Sequence, residues 1–126
     1  MSTSIKALCT SILVASLAGL ISVQAVAQDS AIQFRVVAGD RNPSSCHQWD
    51  AELSRVHTFT PAGDTATLAT AGGITRNMKQ TTPGVFTTTV ALGGTNFNVV
   101  ADTSKSPKAL EVTEPRSGCR WNAVAS

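Results

Sequence analysis

Residues 84–101 read GVFTTTVALGGTNFNVVA, and their patterning decides the fold. Phe86, Val90 and Leu92 fall on one face of an extended chain, opposite Val85, Thr87, Thr89 and Ala91. After Gly93-Gly94 the alternation resumes, with Phe97, Val99 and Ala101 on one face and Asn96, Asn98 and Val100 on the other. A side-chain period of two belongs to a strand with one buried face. A two-residue Gly-Gly connector accepts the positive φ values of a type I′ turn. The stretch therefore predicts an antiparallel hairpin.

The same period recurs on both sides of it. Leu110 and Val112 alternate with Ala109, Glu111 and Thr113 between Pro107 and Pro115. Cys119, Trp121 and Ala123 alternate with Arg120 and Asn122, and Ile32, Phe34, Val36 and Ala38 do so near the other end. RVHTFT at 55–60 and TATLAT at 65–70 flank the turn residues Pro61-Ala62-Gly63-Asp64. The many Thr residues are β-branched and polar, which suits outward strand positions. Gly72-Gly73 and Gly93-Gly94 lack the strand–loop–helix setting of a phosphate loop and read as turns or bulges. Turn signals at this spacing predict an all-β fold, a small antiparallel β-barrel or β-sandwich of about 7–8 short strands.

One stretch supports two readings. In SSCHQWDAELSRVHTF, residues 44–59, Cys46, Trp49, Leu53 and Val56 recur at helical spacing, and Ser45 with Gln48 fits a capping box. That pattern allows a short helix within residues 45–57. Trp49, Ala51 and Leu53 also alternate as a strand would, and the strand is the favoured reading.

The first 27 residues read as a signal. Met1 to Lys6 is a short polar start with one positive charge, Ala7 to Val23 is mostly apolar and uncharged, and Ala25-Val26-Ala27 supplies small residues before Gln28. This three-part layout predicts a cleaved secretory signal over residues 1–27 and a single small β-domain over residues 28–126. No other stretch is apolar enough to span a bilayer, so no transmembrane span is expected after cleavage. The expected destination is the periplasm of a Gram-negative cell, or otherwise secretion. Cleavage removes Cys9 and leaves Cys46 and Cys119. An even count in an exported chain reads as one disulfide, and closing so long a loop contributes about 4 kcal/mol.

Composition narrows the function. Charged residues are 14% of the chain, below the roughly 25% of ordinary soluble domains, and the net charge is +2. Nucleic-acid binding by a dense basic patch is therefore not expected. Apolar residues at 42% with so small a net charge also argue against a disordered chain.

Catalytic signatures are missing as well. The sequence contains neither G-x-S-x-G nor H-E-x-x-H. His47, Asp50 and His57 follow no recognised metal spacing. Asp50 and Glu52 would share a face on a strand, yet a chain this short rarely builds the cleft that paired carboxylates need for glycoside hydrolysis. The expectation is a protein that is not an enzyme, with no catalytic residue, metal or cofactor.

What remains is binding. Trp49 and Trp121 lie close to the two cysteines and read as indoles packed beside the bridge, or as the wall of a ligand pocket. Arg76, Lys79, Lys105, Lys108, Arg116 and Arg120 make the second half the more basic, a face for an anionic envelope component or a scattered solvated surface. Asp102 to Lys108 is the most loop-like stretch and the natural contact loop. The candidate contact residues are thus Trp49, Trp121, Lys105, Lys108 and Arg120. The expected function is an exported binding or inhibitor-type module whose partner is a protein, a small apolar ligand or an anionic envelope component. The alternatives are a cell-envelope structural or assembly module, which would add strand edges to a partner sheet, and, less favoured, a small hydrolase.

The layout of a signal, two cysteines bracketing an antiparallel barrel and short Thr-rich strands resembles that of small periplasmic lysozyme inhibitors. The resemblance covers the mature chain as an architecture and implies a binding role. The Ser-Gly-x-x-Tyr loop of such inhibitors has no counterpart. The chain has no Tyr, and its nearest segment, Pro83-Gly84-Val85-Phe86, offers an aromatic ring without the Ser or the phenol. No family is assigned on these residues.

Overall fold

The structure, a computed structural model, describes residues 30–70 and 73–125. The expected signal, residues 1–27, and Gly72 lie outside the described residues. The chain forms β1 (Ile32–Arg35), β2 (Val37–Ala38), a 3-10 helix (Ser44–Trp49), one α-helical turn α1 (Asp50–Leu53), β3 (Val56–Ala62), β4 (Thr65–Ala69), β5 (Thr75–Thr82), β6 (Val85–Leu92), β7 (Thr95–Asp102), β8 (Ala109–Glu114) and β9 (Cys119–Val124). All pairings between named strands are antiparallel, and the order across the sheet is β1-β3-β4-β5-β6-β7-β8-β9-β2.

The two ends of that order belong to one piece of chain. β1 and β2 are separated only by Val36, yet β1 pairs with β3 and β2 with β9. A bridge between Phe34 and Ala125 draws the seam together further. The sheet therefore curls into a nearly closed barrel, which resolves the choice between barrel and sandwich. Closure also removes the exposed sheet edges that invite aggregation.

Hairpin chemistry sets the register. Leu92 pairs with Thr95 across Gly93 and Gly94, whose φ values of 56° and 84° are those a type I′ turn demands. The ladder then runs unbroken from Leu92–Thr95 to Val85–Asp102, as the alternation of residues 84–101 requires. Phe86, Val90, Phe97, Val99, Ala101, Leu110, Val112, Cys119, Trp121 and Ala123 all point inward and are buried.

The interior is filled rather than hollow. Every aromatic side chain joins one of two edge-to-face clusters: Phe34, Phe59 and Phe86 in one, Trp49, Phe97 and Trp121 in the other, with ring centroids 5.2 to 6.4 Å apart. Such pairs contribute about 0.5–1.5 kcal/mol each beyond the area they bury. The few aromatics are thus concentrated where they stabilise most.

The favoured strand reading of residues 44–53 is overturned: this segment is helical and lies across one end of the barrel. Its buried residues are Cys46 and Leu53, with Trp49 packed against the core and Ala51 exposed. A strand would have turned Ala51 to the same side as Trp49 and Leu53. The helix begins after Pro43, with no side-chain cap, and the Gln48 amide donates to the Ser45 carbonyl at 2.9 Å, so the expected capping box does not form. The strand expected near His57 does form, but begins only at Val56. The disulfide Cys46–Cys119, with a Cα separation of 5.7 Å, fastens this helical cap to the start of β9.

Candidate ligand cavity at the capped end of the barrel

The residues singled out in the sequence separate into distinct places. Trp121 is fully buried, and its indole Nε1 donates to Asp50 Oδ1 at 2.8 Å. The other carboxylate oxygen of Asp50 lies 2.9 Å from His47 Nδ1. Asp50 thus ties the helical cap to the core through the indole and steadies a surface imidazole. Glu52, one turn position away, faces elsewhere, because residues two apart on a helix do not share a face. The carboxylate pair expected on a strand is therefore not formed. His57 stands apart from His47 and Asp50, and among the described residues no three His, Cys, Asp or Glu side chains gather as metal ligands would.

The basic residues are likewise dispersed. Lys105 pairs with Asp102 at 3.8 Å, Arg120 with Glu111 at 3.4 Å, and Lys108 is exposed at the end of its loop. The loop itself is tied down. Thr103 donates to the Gly84 carbonyl through both its backbone N–H at 2.7 Å and its hydroxyl at 2.8 Å. The Ser104 hydroxyl and N–H hold the Asp102 carboxyl below its ordinary range.

Lys105 borders a groove of about 660 Å³ on the outer wall, together with Arg35, Val37, Glu111 and Val124. Val37 and Val124 are 52% and 60% exposed there. Arg120 borders a different depression, beside Asp40, Arg41 and Asn42. Trp49, half-buried, contributes to a third, with Thr95, Asn96 and Arg116.

One polar cluster escaped the sequence reading. Glu114 is buried, and its carboxylate accepts from Arg116 N at 2.8 Å, Ser117 N at 3.0 Å and Ser117 Oγ at 2.6 Å. These bonds, the Ser117 hydroxyl foremost, lower its pKa. Its inward position, in alternation with Leu110 and Val112, was the available signal.

A cavity of about 130 Å³ lies between the helical cap and the barrel wall. It lies beside a part of the wall where strand pairing is incomplete. β5 and β6 are both eight residues long, yet their pairing is confined to Lys79–Thr87, Gln80–Phe86 and Thr82–Val85, with a register shift between Gln80 and Thr82. Toward Thr75 and Leu92 the ladder stops. Ile74 just before β5, Val90 and Leu92 from the end of β6, and Leu53 from the cap supply the apolar lining. Glu52 and Arg55, both exposed, stand at the margin with opposite charges. Arg55 is anchored by a bond from its Nε to the Ala51 carbonyl. Thr70 completes the rim, and its N–H donates to the Ile74 carbonyl at 2.9 Å.

His57 is the polar group in this wall. It points inward from β3 in alternation with Phe59 and is only 2% exposed. Its Nε2 lies 3.0 Å from the Leu53 carbonyl oxygen. A carbonyl can only accept, so Nε2 carries the proton. Nδ1 is buried and has no hydrogen-bond partner among the described residues. Burial lowers the pKa below its ordinary 6.5, partly offset by the bond to Leu53, so the neutral ring is favoured. The sequence carried a trace of this site: the alternation in RVHTFT puts His57 on the same face as Phe59.

Fold and site together define a small, disulfide-fastened antiparallel β-barrel with a packed interior and a largely apolar cavity under its helical cap. In comparisons with known proteins, no family profile, no curated protein and no solved structure matches the chain. Among the described residues, no helix is long and apolar enough to cross a membrane.

Proposed function

We propose that this protein is an exported, non-catalytic binding module that takes a small apolar ligand into the cavity under its helical cap. The carrying observation is the cavity itself, lined by Leu53, Ile74, Val90 and Leu92 and set where the β5–β6 pairing is incomplete in an otherwise filled barrel. Binding sites of this kind are concave, largely apolar and provided with few polar groups. The disulfide is at home in an oxidising compartment, in keeping with the signal-like residues 1–27. The carboxylates of Asp50 and Glu114 are committed to holding the cap and a turn.

Toluene, a ring of suitable size, tests the reading. At saturation it should raise the Tm of the exported protein, because a ligand of the folded state stabilises it by mass action. Ile74→Trp places an indole in the cavity and should abolish the rise. No rise with toluene or any other ring-sized apolar compound would contradict the reading. Export has its own test: the mass of the exported protein should correspond to a chain beginning at Gln28.

A second reading is favoured by the outer groove. Exposed Val37 and Val124 beside Arg35 and Lys105 suit contact with a protein or an anionic envelope component. Changing both valines to Ser should then weaken co-sedimentation with envelope material while leaving toluene binding intact.

A further inference from the structure

We infer that His57 is a proton-operated latch for the helical cap: protonating its buried ring releases the Leu53 end of the cap, while the disulfide keeps the Cys46 end in place. The inference goes beyond the binding reading and holds with the cavity empty. Burial, the surrounding charges and the uneven fastening of the cap converge on it.

The ring is accommodated with one proton and not with two. His57 is buried, and its Nε2 proton is given to the Leu53 carbonyl. Nδ1 is shut off from solvent and has no partner among the described residues. A second proton would put a positive charge and an unanswered N–H donor into the interior, and both are costly there. Burial accordingly pulls the His57 pKa below its ordinary value, with the Leu53 bond as a partial offset.

The elements around the ring do not compensate that charge. Glu52 and Arg55 line the cavity with His57, but they are opposite in sign and exposed. Asp50 is engaged with Trp121 and His47. On β1, Arg35 is exposed on the face opposite Phe34, the residue that pairs with His57. β4 and β6 contain no titratable side chain, and the half-buried Arg76 of β5 is itself a cation.

The cap is held unevenly. Its Cys46 end carries the disulfide to β9, and Asp50 holds the Trp121 indole. The other end is the single turn Asp50–Leu53, with no side-chain cap. That end is held by the buried Leu53 side chain, by the Leu53 carbonyl on His57, and by the Val36 N–H, which donates to the Arg55 carbonyl at 2.9 Å. One helical turn has little stability of its own, whereas β3 is paired with both β1 and β4. When the ring takes up a proton and draws in water, the turn therefore yields before the strand. Its departure uncovers the cavity that Leu53 helps to line. His47 acts in the opposite sense, since a proton there strengthens its contact with the Asp50 carboxylate and tightens the fastened end.

Amide exchange of the intact, oxidised protein between about pH 7.5 and 5 tests the latch, read as protection relative to an unfolded chain. In this range Asp102 and Glu114, whose carboxyls are held below their ordinary values, stay ionised. The released form binds the proton more tightly, so its population should rise about ten-fold for each pH unit below about 6.5. Protection should fall by that factor at Ser54 and Val36, whose N–H groups donate to the Asp50 and Arg55 carbonyls. Dilute urea should leave this fall unchanged, because a local opening exposes little new surface, whereas protection along the β6–β7 ladder should respond to urea. Cys46, whose N–H donates to the Pro43 carbonyl, should not share the urea-independent fall. His57→Phe should make Ser54 and Val36 insensitive to pH, and His47→Gln should leave their fall intact. Protection at Ser54 and Val36 that is flat with pH in the unaltered protein, or that tracks urea as the ladder does, overturns the latch. A fall shared by Cys46, kept by His57→Phe or lost in His47→Gln overturns it equally.

Discussion

Replacing Cys46 and Cys119 with alanine releases the helical cap from the start of β9, and the cost can be worked from the structure. The bridge closes 73 residues of chain. Cross-linking a loop of that length removes enough conformational freedom from the unfolded chain to stabilise the fold by about 4 kcal/mol. Small domains have only about 5–15 kcal/mol in all, so the loss is a large share. Urea unfolding followed by the fluorescence of Trp49 and Trp121 is the assay, applied to the oxidised protein, the reduced protein and the double variant. With a slope of about 1–1.5 kcal/mol per molar urea, the midpoint should fall by roughly 3–4 M. The reduced protein and the double variant should fall together, since loop closure is lost in both. A loss below about 1 kcal/mol would refute the reasoning. It would mean that β1–β3 and β2–β9 pairing already holds the chain ends in the unfolded ensemble, or that the cap is fixed without the bridge.

Asp50→Ala should destabilise by about 1–3 kcal/mol, measured by the same unfolding, because the fully buried Trp121 Nε1–H is left without an acceptor. Asp50→Asn keeps an acceptor and should cost less. Gly84→Ala should cost about 1–3 kcal/mol, since Gly84 has φ +79° and a Cβ there would meet Ser104 backbone atoms at 3.1 to 3.2 Å. Gly63→Ala, at φ +72° in open space, carries the backbone strain alone and should be the milder of the two. Stability should also decline on acidification in two ranges. The pKa of His57 is lower in the folded state, so its contribution is complete above the unfolded value of about 6.5 and lost as pH falls below it; His57→Phe should flatten that part of the profile. The Glu114 carboxyl is also depressed, so its contribution is present above the ordinary carboxylate range and lost as pH drops through it; Glu114→Gln should flatten the acid end.

The strands were legible because a half-buried strand writes its two faces into the chain. Phe86 and Val90 against Thr87 and Thr89 is a pattern that only one register satisfies. The break that closes the barrel was not legible. Ile32, Phe34, Val36 and Ala38 alternate without interruption, and nothing local says that the partner changes from β3 to β9 at Val36. Barrel closure sets that switch through strand tilt and stagger. The cap was misread because Trp49 and Leu53 fit both periods. Burial of Cys46 and exposure of Ala51, neither visible locally, decide for the helix. For the cavity, Val90 and Leu92 are ordinary strand residues, and Ile74 an ordinary residue just before β5, until the β5–β6 ladder stops short beside them. His57 was visible as an inward position, but its orphaned Nδ1 follows from the Leu53 carbonyl, which only the helical cap brings within reach.

The most direct test of the binding account is a map of where a ring-sized ligand acts. Backbone amide resonances recorded during titration of the ¹⁵N-labelled protein with phenol would provide it. The account predicts saturable shifts centred on Leu53, His57, Ile74, Val90 and Leu92, with Val37, Lys105 and Val124 on the outer wall unmoved. Shifts confined to that outer wall, or none that saturate, would contradict it.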